Sequence, residues 1–119
     1  MWKFMLHRDV IILKKILSEI NIAFDMLGTA DPNTFLSDEK LKRAVGLTVI
    51  NIGELVKNIT EDTRLAHREI PWKAVAGMRD IAAHKYQTLR MEDVYNTVTI
   101  DFPDLKNKII VIINSEEKN

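Results

Sequence analysis

An arginine, an aspartate, a histidine and a tyrosine stand close together in the chain as Arg79, Asp80, His84 and Tyr86. Histidine gives or takes a proton near neutral pH, and arginine is a permanent forked donor for a phosphate whose negative charge grows in a transition state. Cleavage of RNA through its own 2′-hydroxyl needs a base, an acid and a cation, and no metal. These residue types fit that chemistry. The alternative interpretation is a surface ion pair of Arg79 and Asp80 beside a helix-terminal histidine.

The spacing of these residues limits how they can meet. Asp80 and His84 are four residues apart, so on a helix they share a face and the carboxylate can orient the imidazole. Arg79 and His84 are five residues apart, and on one ideal helix they diverge by about 140°. Either the helix ends or distorts before His84, or Arg79 and His84 converge from two copies of the chain across a two-fold axis. The spacing favours a composite site in a homodimer.

Positive charge is concentrated around this segment. Residues 57–90 carry seven Lys and Arg against four Asp and Glu, although the whole chain has 17 of each and no net charge. No global field therefore recruits nucleic acid or an anionic membrane, and any such binding depends on a local patch. Lys73, Lys85 and Arg90 are the candidates to contact RNA phosphates. A solvated surface is the alternative for any such asymmetry.

Four further residues are weaker candidates. Glu54 follows Gly53 off the apolar face of its predicted helix, and it is either a surface charge or a residue that faces a site or a partner. His7 has no second ligand at metal spacing, and His67 is expected in an exposed loop. Trp72 is more typical of a core anchor than of a platform for base stacking. The sequence predicts no metal site and no cofactor.

Length and composition describe one ordinary soluble domain. The chain has 119 residues, of which 46% are apolar and 29% charged, and it contains no cysteine. Disulfide scaffolds, thiolate zinc sites and cysteine nucleophiles are therefore excluded. The longest apolar runs, 10–13 and 109–113, are far shorter than the ~20 residues that span a bilayer, and the N-terminus does not resemble a secretory signal. We expect residues 1–119 to form a single cytoplasmic domain.

Apolar residues at helical spacing predict two long helices before the charged segment. The first helix ends near Gly28 and carries a stripe with steps of three and four residues: Leu6, Val10, Leu13, Leu17, Ile20, Phe24 and Leu27. The second begins near Asp38, with Ser37 as its side-chain cap. Its stripe is Leu41, Val45, Thr48, Ile52, Leu55 and Ile59.

Two more helical segments are predicted to carry and follow the charged residues. Pro71 and Trp72 open the third, because proline is tolerated in the first turn of a helix. The fourth begins near Met91, and Pro103 is expected to kink or divide it, with Asp101 as a cap for its second half. The run 109–113 is predicted as helix, since the chain offers no second strand to pair with it. The predicted fold is an all-α, up-and-down bundle of four to five helices.

The sequence resembles the HepT-type toxins, small helical members of the HEPN (higher eukaryotes and prokaryotes nucleotide-binding) superfamily. The likeness covers nearly the whole chain. It rests on motifs that follow one another in the family's order and spacing: Arg8-Asp9, Ile52-Gly53-Glu54, Ile70-Pro71-Trp72, Gly77-Met78-Arg79-Asp80, His84-x-Tyr86 and Asp101-Phe102-Pro103-Asp104-Leu105.

The resemblance implies a HEPN-like, homodimeric, metal-independent ribonuclease that acts as the toxin of a two-gene toxin–antitoxin module. The family's Arg-x4-6-His motif falls on Arg79 and His84, and its polar residue after the arginine falls on Asp80, where many relatives carry asparagine. The family's antitoxin resembles a minimal nucleotidyltransferase, which transfers adenylyl groups to the tyrosine of this motif. Here that tyrosine is Tyr86, and its modification would place anionic phosphate where RNA phosphate should bind.

Two functions from different classes remain open on the sequence. The first is the endoribonuclease toxin. The second is a catalytically weak nucleotide-binding or interaction subunit that docks a minimal nucleotidyltransferase and offers the same motif as the segment to be modified. Both predict a nucleotidyltransferase partner, whereas only the first predicts toxicity that depends on Arg79 and His84.

Overall fold

The computed structural model describes residues 7–77 and 90–118, and every regular element in these ranges is helical. Three helices are long: α1 (His7–Leu27), α3 (Glu39–Lys57) and α7 (Phe102–Glu117). The others are short: α2 (Pro32–Leu36), α4 (Glu61–Ala66), α5 (residues 72–77) and α6 (Met91–Asn96), with a π-helical stretch, Thr97–Asp101, between α6 and α7. The predicted all-α class is confirmed.

The helices α1 and α3 run antiparallel. Near the start of α1, Arg8 donates to the backbone carbonyl of Asn58, just beyond α3, at 3.3 Å. Near the end of α1, Glu19 accepts from Asn51, which lies earlier in α3, at 3.0 Å. Later residues of one helix therefore meet earlier residues of the other, as an up-and-down connection requires.

The helix α7 also packs antiparallel to α1. The Lys14 ammonium, early in α1, is 2.7 Å from the carboxylate of Glu117, late in α7. The Lys106 ammonium, early in α7, lies 5.5 Å from the ring centre of Phe24, late in α1. The run 109–113 is part of α7, so its prediction as helix rather than strand is confirmed. Three long helices thus form the predicted up-and-down bundle.

The core lies between these helices and is closed by side chains from α2, the α4–α5 loop and the π-helical stretch. Its largest fully buried members are Phe35, Phe102, Leu13, Ile16, Ile20, Ile52, Ile70, Ile109, Ile112, Val45, Val56 and Val98. Of the predicted second-helix stripe, Val45, Thr48 and Ile52 are buried on α3, whereas Leu41 and Leu55 are half-buried. Ile59 is buried too, but it lies beyond the end of the helix at Lys57.

The buried face of α1 differs from the predicted stripe. Leu13, Ile20 and Leu27 are buried as predicted, whereas Val10, Leu17 and Phe24 are only half-buried. Ile12, Ile16 and Ala23 are buried as well. The reason is that α1 packs against both α3 and α7, so its apolar face is wider than the narrow seam of a two-helix contact.

The connection between α1 and α3 contains the short helix α2, where the sequence indicated only a turn. Gly28 ends α1 with φ +54°, a conformation that favours glycine. Asp31 then caps α2 by accepting from the backbone amide of Thr34 at 2.8 Å. This hydrogen bond lowers the pKa of the Asp31 carboxyl below its usual value.

The cap of α3 is Asp38, not Ser37 as predicted. The Asp38 carboxylate accepts from the backbone amide of Leu41 at 3.0 Å. The Ser37 hydroxyl donates backward to the carbonyl of Asn33 at 2.9 Å, because Ser37 terminates α2. Ser37 is thus one residue too early to cap α3, although the predicted start of the helix near Asp38 is confirmed.

The chain remains helical across Pro103. The stretch Thr97–Asp101 is π-helical, and the Phe102 amide donates to the carbonyl of Thr97, five residues earlier. A proline removes one amide donor and its ring clashes with the carbonyl four residues earlier, and a wider π turn relieves that clash. Asp101 makes no side-chain capping bond. The prediction that Asp101 caps a separate second half was therefore wrong.

Candidate functional site

The segment that holds the predicted catalytic motif lies outside the described residues. Arg79, Asp80, His84, Lys85 and Tyr86 all fall between residues 77 and 90, and their roles stay predictions. The elements α4 and α5 lead into this segment along the chain, and α6 follows it.

A buried carboxylate fixes the start of α4. Asp9 of α1 is fully buried and accepts three hydrogen bonds from residues at the start of α4. The donors are the Thr60 amide at 3.2 Å, the Thr60 hydroxyl at 2.5 Å and the Thr63 hydroxyl at 2.6 Å. Thr60, at the N-cap position, makes no capping bond with its own side chain. Asp9 therefore binds the start of α4 from a distant part of the sequence, and its carboxyl group lies at the positive end of that helix.

An arginine of α4 binds the C-terminal end of α3. The Arg64 guanidinium donates to the carbonyl of Val56 at 2.8 Å and to that of Ile59 at 3.2 Å. These carbonyls lie at the C-terminal end of α3, where helical partners are missing. Asp9 and Arg64 thus hold α4 against both α1 and α3.

Trp72 is a core anchor, in agreement with the favoured sequence interpretation. Its side chain is 6% exposed, and its indole N–H donates to the backbone carbonyl of His67 at 2.9 Å. The bond spans the loop from α4 to α5, which Ile70 also pins into the core. The first turn of α5 is consequently held in place.

Three cations line a groove beside this loop. Arg64, Arg68 and Lys73 share the groove with Ile70, Pro71, Trp72 and Ala74, and its volume is about 650 Å³. Arg68 and Lys73 are exposed, and none of the described residues that line the groove is acidic. Lys73 was a candidate from the sequence. Arg68 was not, because only the folded loop brings it beside Lys73.

A second groove, of about 550 Å³, lies between α5 and the start of α7. It meets the first at Arg68, Pro71 and Ala74, and an apolar wall that includes Val75 and Ile100 lines it. Its rim carries three carboxylates, those of Glu69, Asp101 and Asp104. The two grooves therefore differ in charge although they adjoin.

Lys108 also lines this groove, and its ammonium binds two groups at the acidic rim. Its ammonium lies 2.9 Å from the Asp104 carboxylate and donates to the Glu69 carbonyl at 2.9 Å. One of the three carboxylates is thus partly neutralised, and the second groove keeps acidic groups at its mouth.

The remaining sequence candidates lie apart from the basic groove. Glu54 is exposed on α3 and lines a separate hollow with Lys15 and Glu19 of α1. Arg90 is exposed just before α6, and its guanidinium is 3.7 Å from the carboxylate of Glu92. Neither residue is among those that line the groove of Arg68 and Lys73.

The two described histidines form no metal site. His7 is exposed at the start of α1, and the His67 imidazole, half-buried after α4, is 3.4 Å from the Glu69 carboxylate. Across residues 7–77 and 90–118 no three His, Asp or Glu side chains are grouped so that they could hold a metal ion. In the same ranges, no helix combines the length and the apolar character needed to cross a membrane.

The chain is similar to proteins named as ribonucleases. The family described as "Ribonuclease HepT-like" matches residues 16–112. A "putative RNase" of Caldanaerobacter subterraneus subsp. tengcongensis is 30% identical over 105 residues, which cover 88% of this chain and 94% of the relative. A "probable ribonuclease HepT" of Thermococcus cleftensis is 42% identical over 74 residues, which cover 62% of this chain and 67% of the relative.

Another relative is longer. A "gamma-glutamylcyclotransferase and putative RNase" of Methanocaldococcus jannaschii is 32% identical over 115 residues, and the match covers 96% of this chain but only 52% of that protein. No solved structure matches the chain significantly. The family match spans most of the sequence, including the segment with Arg79 and His84. This chain therefore belongs to the HepT-like ribonuclease family.

Proposed function

We propose that this chain, as a single domain of residues 1–119, is the endoribonuclease toxin of a HEPN/nucleotidyltransferase toxin–antitoxin module. The observation that carries the proposal is the family match over residues 16–112, which includes Arg79 and His84 at the spacing of the family's motif.

In the proposed reaction His84 transfers the proton and Arg79 binds the phosphate. Removal of the proton from the 2′-hydroxyl lets that oxygen attack the adjacent phosphorus, the bond to the 5′-oxygen breaks, and the leaving oxygen takes up a proton. The products are a 2′,3′-cyclic phosphate and a 5′-hydroxyl. Arg79 stabilises the charge that develops on the phosphate, and Asp80 orients the imidazole. The reaction needs no metal.

The test is cleavage of RNA by the purified chain. His84→Ala and Arg79→Ala should each reduce the rate at least 10²-fold, the order expected for loss of a proton-transfer group or of transition-state charge stabilisation. His7→Ala and Arg43→Ala are the matched controls, since they remove the same side-chain types from exposed positions on α1 and α3. Cleavage that survives both active-site substitutions, or that a chelator stops, contradicts the proposal.

Co-expression with the cognate nucleotidyltransferase separates the toxin from the interaction subunit. We propose that Tyr86 accepts the adenylyl group, because it lies two residues beyond His84 and the added phosphate would compete with RNA. Intact mass should show one or more adenylyl groups on the wild type and none on Tyr86→Phe. Tyr86→Phe should stay toxic when expressed with the partner. Modification without any toxicity dependent on Arg79 or His84 would favour the interaction subunit.

A further inference from the structure

Two exposed cations in the basic groove have no structural role in the described part of the protein. Arg68 and Lys73 flank the loop between α4 and α5, and within residues 7–77 and 90–118 neither head group pairs with a carboxylate or donates to a carbonyl. Arg64, the third cation, is different. Its guanidinium is bonded to the carbonyls of Val56 and Ile59, so it shapes the wall of the groove instead of offering a ligand site.

The loop that carries Arg68 and leads to Lys73 is held by a hydrogen bond and by a buried side chain. The Trp72 indole bond to the His67 carbonyl closes the loop that runs between these two side chains, and Ile70 is 2% exposed. The helix α4 that precedes the loop is held by the buried Asp9. A ligand would therefore meet two charges on a pre-formed support, and binding would order little backbone.

The charges that line the two adjoining grooves indicate which of them would bind a polyanion. Arg68 lines both grooves, but the second groove also carries three carboxylates at its rim, which would repel a phosphate. The basic groove has no acidic residue among its described lining. A polyanion is thus favoured on the side of Arg68 and Lys73 and disfavoured on the other side of Pro71.

The basic groove also lies directly before the proposed catalytic segment. Lys73 is in the first turn of α5, and Arg79 follows it by six residues in the chain.

We propose that Arg68 and Lys73 bind the RNA backbone at a phosphate other than the scissile one, as a phosphate-binding site separate from the catalytic residues. The inference rests on the proposed function for the identity of the polyanion as RNA. Such contacts carry no sequence information, and they position the strand and make its affinity depend on salt.

The test measures binding without cleavage. The probe is a fluorescent 2′-O-methyl oligouridine, which lacks the 2′-hydroxyl that the reaction requires, and anisotropy gives its affinity between 50 and 200 mM salt. The double variant Arg68→Gln/Lys73→Gln should lower the slope of log K against log salt by about 1.4, since each single-strand phosphate that a cation neutralises adds ~0.7 to the slope. Over this fourfold range of salt, wild-type affinity should consequently fall about sevenfold more than that of the variant.

The matched control is Lys40→Gln/Arg43→Gln, which removes the same two charges from the N-terminal end of α3. The carbonyl of Val56, which accepts from Arg64, marks the end of α3 nearest to the groove. Lys40 lies sixteen residues before Val56 on this helix, or about 24 Å away along its axis. The control should keep the wild-type slope. Circular dichroism melts should be the same for all three proteins, since every substituted side chain is exposed.

Two results would overturn the inference: an unchanged slope in Arg68→Gln/Lys73→Gln, or an equal decrease in both double variants, which would indicate only a general charge effect. Failure of the proposed function looks different. If wild-type protein leaves unmodified RNA intact while the slope depends on Arg68 and Lys73, the binding site stands without the nuclease. If cleavage depends on His84 while the slope does not depend on these cations, the nuclease stands without the binding site.

Discussion

The Asp9 side chain is fully buried, and its three hydrogen bonds all come from the start of α4. A buried carboxylate is tolerated only when such donors replace its hydration. The donors depend on it in turn, because the Thr60 amide belongs to a helix start that has no capping bond of its own. One side chain therefore connects α1 to the start of α4, the helix that comes before the proposed catalytic segment in the chain.

The first prediction concerns removal of this carboxylate. Asp9→Ala leaves the Thr60 amide and two hydroxyls without their acceptor, so the free energy of unfolding should fall by about 3 kcal/mol. Asp9→Asn keeps the shape and one acceptor, and it should cost about half as much. Urea denaturation provides the measurement. Asp25→Ala, an exposed substitution on the same helix, should stay within about 0.5 kcal/mol of wild type. Equal stability of Asp9→Ala and Asp25→Ala would show that the buried cap is unimportant.

At the scale of elements, the long helices and the starts of α5 and α6 could be predicted, whereas α2 and α4 could not. Regular apolar spacing extends through α1, α3 and α7, and each was predicted from it. The helices α2 and α4 have five and six residues, which is too short for a period to show. The start of α4 also depends on Asp9, 51 residues before Thr60, and such a contact leaves no local signal.

In the candidate site, too, contacts that form only in the folded chain could not be predicted from the sequence. The spacing of Arg79 and His84 could be recognised in the sequence, and Lys73 was a candidate because of its charge. Arg68 has the same type of charge, but only the folded loop places it beside Lys73 in a groove free of described acidic residues. The acidic rim of the adjoining groove combines Glu69 with Asp101 and Asp104, which are more than thirty residues away in sequence.

The second prediction separates the two residues that could cap α3. Asp38→Ala removes the acceptor of the Leu41 amide and should lower the free energy of unfolding by about 1 kcal/mol, the usual effect of losing an N-cap. Ser37→Ala should cost less than about 0.5 kcal/mol, because its hydroxyl only adds a second bond to carbonyls at the end of α2. Denaturant titration of both variants gives the comparison. A larger loss for Ser37→Ala would contradict the assignment of the cap to Asp38.

At the scale of the whole molecule, Arg79 and His84 must act on the same phosphate although they are five residues apart in the chain. On a regular helix Arg79 and His84 diverge by about 140°, and a two-fold axis would bring the Arg79 of one copy to the His84 of the other. A homodimer built in this way has two composite sites, each with one residue from each protomer. The alternative is a local end or distortion of the helix before His84, which would place both residues of a site in one protomer.

The third prediction uses mixed dimers to decide between these arrangements. Arg79→Ala and His84→Ala, each inactive alone, are co-expressed with different tags. In a mixed dimer with composite sites, one site loses both residues and the other keeps Arg79 from one protomer and His84 from its partner. Half of the dimers formed at random are mixed and each has one intact site of two, so cleavage should recover to about a quarter of the wild-type rate. If both residues of a site belong to one protomer, every site lacks one of them and no activity returns. Purification through both tags in sequence isolates the mixed dimer and should raise the recovery to about half, whereas a chain that elutes as a monomer would exclude the composite site altogether.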